Sequence, residues 1–281
     1  MTAERLPAPH PGRSAPCRAL LPAVCRAPLP AAGEVPVLGA NDCQVWWAAL
    51  DRGAPWHEPL LDPTERQRRG QYRSIAERDR FTLGVALSRL VLGRQVQTAP
   101  GKVAIDRTCP RCGRPHGRPR LVIGGELDFS VSHSGELVAV AVTRSSAGAG
   151  AGRRGVGVDV ERVTSLNEPR LWRAVLSPAE RDTFVRLGAA EQASSFFRYW
   201  VRKESVLKAT GHGLSVPPTR LTVSDSGRPA RLLGWAGRPF FPSTVTMCDL
   251  SAPPGYAAAL TLVGPGATVR EWDASGLLSG V

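Results

Sequence analysis

The sequence lacks the features of a membrane or secreted protein. No apolar run approaches the roughly 18 residues that a membrane-spanning helix needs. The apolar segment at residues 19–24 is broken by proline and is too short for the core of a signal peptide. The six cysteines do not have the spacing of a disulfide framework. We therefore expect a reduced, cytoplasmic protein with no membrane partner.

Several nucleotide-binding and hydrolase motifs are also missing. The chain has no Gly-rich P-loop, no G-x-G-x-x-G fingerprint and no G-x-S-x-G nucleophile elbow. Acidic residues are scarce, because 24 Asp and Glu face 36 Lys and Arg, for a net charge of +12. A basic surface favours anionic partners such as nucleic acid, anionic lipid, phosphorylated small molecules or acidic proteins.

Composition divides the chain into three parts. Residues 1–40 are rich in Pro, Ala and Arg without periodicity, which predicts a disordered tail. A Ser/Ala/Gly segment at 145–152 predicts a flexible linker between subdomains 41–150 and 151–281. Each subdomain mixes helices with strands of antiparallel type, so we expect an α+β fold.

One predicted helix, at about 191–210, carries charges on its apolar side. At about 100° per residue, Glu204 and Lys208 fall in the same sector as Trp200, whereas Arg202 and Ser205 fall on the opposite, predicted solvated face. A carboxylate and an ammonium group on a buried face are costly unless they pair with each other, a metal or a ligand. The pattern predicts either an ordinary ion pair or a site in which Glu204 is a metal ligand or a general base.

A predicted strand at 155–161 places two more carboxylates together. Its valines alternate with Gly157, Asp159 and Glu161, so the two acids share the face opposite the valines. Two carboxylates on one strand face are either a solvated surface or a site for a hard cation such as Mg²⁺.

Three further groups are candidates for a site. His133 ends a predicted strand at 129–133, beside a turn, and is a base, a phosphate donor or a turn residue. Arg118 lies in a Gly-Arg-Pro turn suited to bidentate phosphate contact. Cys109, Cys112 and His116 resemble half of a zinc site, although no second half stands out. Arginines between residues 66 and 80 form either a solvated helix face or a phosphate-binding cluster; they are Arg66, Arg68, Arg69, Arg73, Arg78 and Arg80.

The order of these motifs resembles a known enzyme family. Phe-Ser-Val-Ser-His-Ser-Gly at 129–135 precedes Gly-Val-Gly-Val-Asp-Val-Glu at 155–161 and Trp-Val-Arg-Lys-Glu-Ser-Val-Leu-Lys at 200–208. Together they resemble the Sfp-type 4′-phosphopantetheinyl transferases over residues 61–214. Val201 stands where the family often has Ser or Thr.

The resemblance implies a fold and a reaction. The fold would be a pseudo-twofold α+β monomer of two similar subdomains, each a small antiparallel sheet packed with helices. The chain would transfer the 4′-phosphopantetheine arm of coenzyme A to a serine of an acidic apo acyl, peptidyl or aryl carrier protein and release 3′,5′-ADP. A role in polyketide or nonribosomal-peptide biosynthesis would follow, with no nucleic-acid partner.

The resemblance also assigns the site residues. The implied ligands of Mg²⁺, with Mn²⁺ as an alternative, are Asp159, Glu161 and Glu204. The implied coenzyme contacts are Arg66, Arg68, Arg80, Arg118, Ser132, His133, Lys203 and Lys208. Lys208 would offset charge in the transition state, with Glu204 the preferred base and His133 the second choice. One rival interpretation is a basic nucleic-acid-binding protein with a zinc-ribbon-like cysteine pair; another is a non-catalytic carrier-binding relative.

Overall fold

Two similar halves make up the part of the chain that the structure describes. The computed structural model describes residues 34–123, 126–145, 155–166, 168–239, 241 and 245–279. The first half contains β1 (Asp42–Ala49), α1 (Pro63–Gln71), α2 (Ile75–Gln95), β2 (Ile105–Asp106), β3 (Arg120–Leu121), β4 (Leu127–Ser134) and β5 (Leu137–Arg144). The second contains β6 (Gly155–Arg162), α3 (Pro169–Val175), α4 (Pro178–Phe184), α5 (Ala189–Thr210), β7 (Leu221–Val223), β8 (Leu232–Trp235), β9 (Val245–Asp249) and β10 (Tyr256–Val263). The last elements are β11 (Thr268–Asp273) and α6 (Ser275–Leu278).

Both halves repeat one topology. A strand, a long helix and a two-strand hairpin follow one another as β1, α2, β4, β5 and again as β6, α5, β9, β10. In each sheet the first strand pairs antiparallel with the second hairpin strand, which pairs with the first hairpin strand. The predicted α+β fold with two similar subdomains is confirmed.

The packing has four main layers, which are helix α2, the first sheet, the second sheet and helix α5. Helix α2 covers one face of the first sheet, in a core that includes Trp46, Leu87 and Val140. The other face of that sheet packs on the valines of β6, in a core that includes Val45 and Val158. Helix α5 covers the far face of the second sheet, and the elements α3, α4, β7 and β8 enclose it from the other side. No helix of the described ranges is both long and apolar enough to cross a bilayer.

The predicted domain limits need two corrections. Strand β11 pairs in parallel with β1, so the predicted subdomain 151–281 gives its last strand to the first sheet. This happens because Trp272 stacks on Trp46 and buries its ring in the first core. The predicted tail 1–40 also ends too late, since Leu38 is already buried in that core. Residues 1–33 and the linker residues 146–152 lie outside the described part of the chain.

Side chains join the two halves along strands β4 and β6. Asp128, Ser130, Ser132 and Ser134 each accept a hydrogen bond from a backbone N–H on β6, at residues 156, 158, 160 and 162. The offset of 28 residues is constant, so the two strands run in parallel. We call this row of contacts the β4–β6 seam. Side-chain oxygens here take the place of the carbonyl groups of an ordinary sheet.

Candidate active site

A cavity of about 370 Å³ contains most of the predicted site residues. Its volume lies in the range of small-molecule sites. Helices α1 and α2, strand β4 and the loop after β2 line one side, and β6 and α5 line the other. Seven predicted residues line it: Arg68, Ser132, His133, Asp159, Glu161, Glu204 and Lys208.

Glycines on β6 bring the acidic residues of strand and helix together. A Cβ at Gly157 would lie 2.0 Å from the backbone oxygen of Ser205, and one at Gly155 would lie 2.5 Å from the backbone oxygen of Ala209. Only glycine lets the backbone of α5 approach the strand this closely. Asp159 and Glu161 share the Gly157 face, so the close approach sets them beside Glu204 on α5.

The helical-wheel prediction for α5 is right for one sector and wrong for the opposite one. Trp200, Glu204 and Lys208 form an i, i+4 stripe that lines the cavity. Arg202 and Ser205, predicted to be solvated, are fully buried. The helix lies between the second sheet and a further layer, so Arg202 finds an ion-pair partner in Asp249 at 2.6 Å. The spacing of apolar residues reveals one buried face of a helix, so it cannot detect a helix that is enclosed on both sides.

Burial destabilises the charged forms of all three carboxylates, and the charge of Asp159 adds to this effect at Glu161 and Glu204. Burial and the charge of Asp159 raise the pKa of Glu204 to about 7. Burial, and then the charge of Asp159, raises the pKa of Glu161. Burial also raises the pKa of Asp159, although Lys208 opposes this shift. Asp159 Oδ2 and Glu204 Oε1 are buried and have no hydrogen-bond partner among the described residues.

This carboxylate set fits a divalent cation. Buried oxygens without partners, and pKa values that burial raises at all three acids, both indicate negative charge that the site does not fully neutralise. Oxygen donors of this kind suit Mg²⁺ or Mn²⁺. Asp159, Glu161 and Glu204 are the residues that would hold the ion.

Lys208 and Ser132 link the acidic site to the seam. Lys208 Nζ lies 2.7 Å from Asp159 Oδ1 and 2.9 Å from Ser132 Oγ. Ser132 Oγ also donates to Asp159 Oδ1 at 2.8 Å and accepts the N–H of Val160 at 3.2 Å. One hydroxyl therefore fixes Asp159 and also joins the two halves.

His133 lies beside these groups on β4. Loss of solvation and the charge of Lys208 lower the pKa of His133, so the imidazole is neutral at neutral pH. A neutral ring can accept a proton or donate one hydrogen bond. Its place in the cavity is compatible with either predicted role, as base or as coenzyme contact.

The structure places four predicted coenzyme contacts outside the cavity lining. The prediction for Lys203 is wrong: its side chain is fully buried, with Nζ on Glu180 Oε2 and on the carbonyl oxygens of Val175 and Pro218. Arg118 contacts Asp128 Oδ2 and the carbonyl oxygen of Val156, and it faces a neighbouring groove.

The two remaining arginines lie on the surface of the first half. Arg80 donates to the carbonyl oxygen of Gly135 at 3.0 Å, and Arg66 is exposed on α1. Neither lines the cavity, although Arg80 lies at the hairpin turn next to His133. Their coenzyme contacts, like that of Arg118, stay predictions.

Three residues that shape the cavity and its acids were not among the predicted site residues. Arg107 lines it opposite the acids and has a buried Nε without a hydrogen-bond partner among the described residues. Trp200 and Ser134 donate to the two oxygens of Glu161, at 3.4 and 2.7 Å. The alternation of Ser130, Ser132 and Ser134 along one strand face could have revealed the seam, whereas nothing local distinguishes Arg107 from other arginines.

A model of the 4′-phosphopantetheinyl transferase superfamily matches residues 155–261, which include all three carboxylates. The chain is 32% identical over 181 residues to the 4′-phosphopantetheinyl transferase HetI of Nostoc sp. strain PCC 7120, covering 63% of this chain and 71% of that protein. It is 24% identical over 164 residues to the 4′-phosphopantetheinyl transferase Sfp of Bacillus subtilis, covering 58% of this chain and 66% of that protein. The chain belongs to the 4′-phosphopantetheinyl transferase superfamily, and the predicted resemblance is confirmed.

Two solved structures are more distant. Holo-[acyl-carrier-protein] synthase of Thermotoga maritima is 22% identical, covers 41% of this chain and 64% of its own, and has a TM-score of 0.32. A holo-(acyl-carrier-protein) synthase of Bacillus anthracis, in complex with CoA (3′,5′-ADP), is 17% identical, covers 40% and 96%, and has a TM-score of 0.33. The family assignment rests on the sequence relatives.

Proposed function

We propose that this protein transfers the 4′-phosphopantetheine arm of coenzyme A to a serine of an acidic apo carrier protein and releases 3′,5′-ADP. One observation carries the proposal: Asp159, Glu161 and Glu204 converge with Lys208 in a cavity that also contains Arg68 and Arg107. A cavity with an acidic side for a cation and basic groups for phosphates suits a substrate that contains a diphosphate. Family membership supports the same reaction.

A bound Mg²⁺ or Mn²⁺ would withdraw electron density from the diphosphate and make its phosphorus more electrophilic. Asp159, Glu161 and Glu204 would hold that ion. Mg²⁺ often binds through one or two carboxylates together with substrate phosphates. The requirement for the metal is therefore to be tested with coenzyme A present.

The protein's own residues would position the reacting groups. Arg68 and Arg107 bind phosphate oxygens at the basic side of the cavity. The carrier serine oxygen attacks the phosphorus on the pantetheine side, a new P–O bond forms, and the bond to 3′,5′-ADP breaks. Lys208 offsets the negative charge that develops on the phosphoryl oxygens.

The serine proton goes to Glu204 or to His133. Glu204 lines the cavity, and its buried Oε1 has no hydrogen-bond partner among the described residues, so this oxygen can accept the proton. A low pKa makes His133 the weaker acceptor. We therefore propose Glu204 as the base and His133 as a hydrogen-bond partner of the coenzyme.

The partner and the cellular setting are part of the same proposal. The net charge of +12 favours an acidic carrier protein, and added salt should weaken their association. We propose a monomer that acts in the cytoplasm on carriers of polyketide or nonribosomal-peptide synthesis.

Mass spectrometry tests the proposed reaction directly. The protein is mixed with Mg²⁺, coenzyme A and several apo carriers, and each modified carrier should gain one phosphopantetheine arm on its serine. Glu204→Ala should lower the rate at least about a hundredfold. The matched control, Glu191→Ala, changes an exposed acid at the start of the same helix and should keep the wild-type rate. If no carrier is modified, the proposed function is wrong; if Glu204→Ala retains activity, the role given to that residue is wrong.

A further inference from the structure

Two cysteines and a histidine converge on the loop between β2 and β3. The donor atoms of Cys109, Cys112 and His116 all lie within 4.8 Å of one another. Cys112 Sγ is 2.9 Å from His116 Nε2. None of the three lies near the carboxylate set in the sequence, and the proposed reaction does not use them.

The backbone of this loop builds the arrangement. Gly113 has a φ of +69°, a left-handed conformation, which turns the chain back toward Cys109. Its N–H donates to the carbonyl oxygen of Cys109 at 2.8 Å, and the N–H of Cys109 donates to that of Arg114 at 2.8 Å. At the base of the loop, the N–H of Gly117 donates to the carbonyl oxygen of Arg107 at 2.7 Å. The loop is thus closed around the three side chains.

The loop has no apolar core that could hold this shape. Every residue from 104 to 120 is exposed or only half-buried. Ordering a residue costs about 1–2 kcal/mol in backbone entropy alone, which apolar burial usually offsets. Small segments without such a core are commonly cross-linked by a metal or a disulfide.

We propose that Cys109, Cys112 and His116 bind one Zn²⁺ ion, whose fourth position is open to solvent. Zinc prefers thiolate and imidazole ligands in a tetrahedron, with bonds of about 2.3 Å to sulfur and 2.0–2.1 Å to nitrogen. Those bonds imply ligand-to-ligand distances of roughly 3.5–3.8 Å, so each of the three donors needs to move by about 1 Å at most. Thiolate and imidazole ligands in this loop favour zinc, whereas the carboxylate oxygens of Asp159 and Glu204 favour magnesium, so the two metals would bind at different sites of one chain.

The zinc would hold part of the cavity wall. His116 and Gly117 line the cavity, and the same loop continues into Arg118. A metal on this loop would fix the wall opposite the carboxylates without taking part in the transfer. The proposal does not depend on the proposed function, because metal binding is measured separately from turnover.

Metal analysis of the purified, reduced full-length protein is the first test. After growth with zinc and dialysis against metal-free buffer, one zinc per chain is expected. Cobalt in place of zinc should give thiolate-to-cobalt charge-transfer absorption. Cys109→Ser and Cys112→Ser should lose the metal and the absorption, whereas the control Cys248→Ser, on β9, should retain both.

A pair of changes at His116 separates metal ligation from a merely structural effect. His116→Ala should weaken zinc binding at least about tenfold, since even outer contacts to a metal ligand are worth that much. His116→Cys supplies a thiolate at the same position and should retain zinc. His116 is exposed, so neither change is expected to prevent folding, which melting followed by circular dichroism would verify.

The state of the loop gives an independent readout. Removal of zinc by a chelator that does not bind magnesium should speed tryptic cleavage after Arg107 and Arg111. Three results would overturn the proposal: a zinc-free protein with freely reactive thiols; a Cys109–Cys112 disulfide in place of the metal; or zinc retained when both cysteines are changed to serine, which would place the ion elsewhere.

Discussion

Replacement of Gly157 by alanine should separate helix α5 from strand β6. The added Cβ would lie 2.0 Å from the backbone oxygen of Ser205 and 2.4 Å from the backbone nitrogen of Ala209. Real Cβ atoms essentially never come within 3.0 Å of such neighbours, so the backbones must move apart by about 1 Å. Because both contacts are with the main chain, no side-chain truncation on the helix would relieve them.

That movement would misalign the site. Asp159 lies on the strand and both Glu204 and Lys208 lie on the helix, so 1 Å would lengthen the 2.7 Å ion pair between Lys208 and Asp159. A misplacement of this size can cost about a hundredfold in rate. Overpacking of this kind also costs about 1–3 kcal/mol of folding free energy. We expect both losses in Gly157→Ala.

Transfer rate, magnesium affinity in the presence of coenzyme A and urea unfolding measure these effects. The matched control is Gly70→Ala on α1, where a Cβ meets nothing within 4 Å. Alanine has the higher helix propensity, so the control should be neutral or up to about 1 kcal/mol more stable. Wild-type turnover and stability in Gly157→Ala would refute the claim that this close approach sets the site geometry.

Three other predictions follow from the same structure. Because the pKa of Glu204 is raised from 4.5 to about 7, protonation of Glu204 favours the folded state of the metal-free protein. This stabilisation should be full below pH 4.5, and up to about 3 kcal/mol of it should be lost as the pH rises through 7. Melting across that range should show the loss, Mg²⁺ should reverse it, and Glu204→Gln should remove the pH dependence. Lys203→Met leaves Glu180 buried without its partner, so urea unfolding should show a free energy of unfolding lower by about 3–5 kcal/mol, while folded molecules keep transfer activity. A small decrease would contradict the buried ion pair. Ser130→Ala and Ser132→Ala each leave a seam N–H unpaired, so each should lower the free energy of unfolding by about 1–3 kcal/mol. Only Ser132→Ala should also lower the transfer rate, because of these two serines only Ser132 contacts Asp159; equal rates in the two variants would show that this contact is unimportant for transfer.

Local patterns predicted the elements that carry the site. The alternation at 155–161 predicted correctly that Asp159 and Glu161 share one face of strand β6, because a strand has two faces and its valines occupy the other one. The wheel placed Glu204 and Lys208 together, because residues four apart on a helix are neighbours. Both patterns depend only on residues close in the sequence.

Contacts between distant segments could not be predicted in this way. Lys203 and Lys208 look alike in the sequence, but Lys203 lies beside Glu180 and Lys208 beside Asp159. Arg107 reaches the cavity only because its loop folds back toward α1, where its Nε lies 3.7 Å from Glu65. The partner of each cation is set by packing, which periodicity does not describe.

The return of β11 to the first sheet has a consequence for the order of folding during synthesis. Strand β1 and helix α2 leave the ribosome early, but their core lacks Trp272, Leu277 and Leu278 until residues 268–278 have been made. The first half therefore has to wait for the second with part of its apolar surface uncovered, whereas domains made first usually fold first. For this reason, chains stalled before β11 should be the ones that chaperones retain and proteases remove.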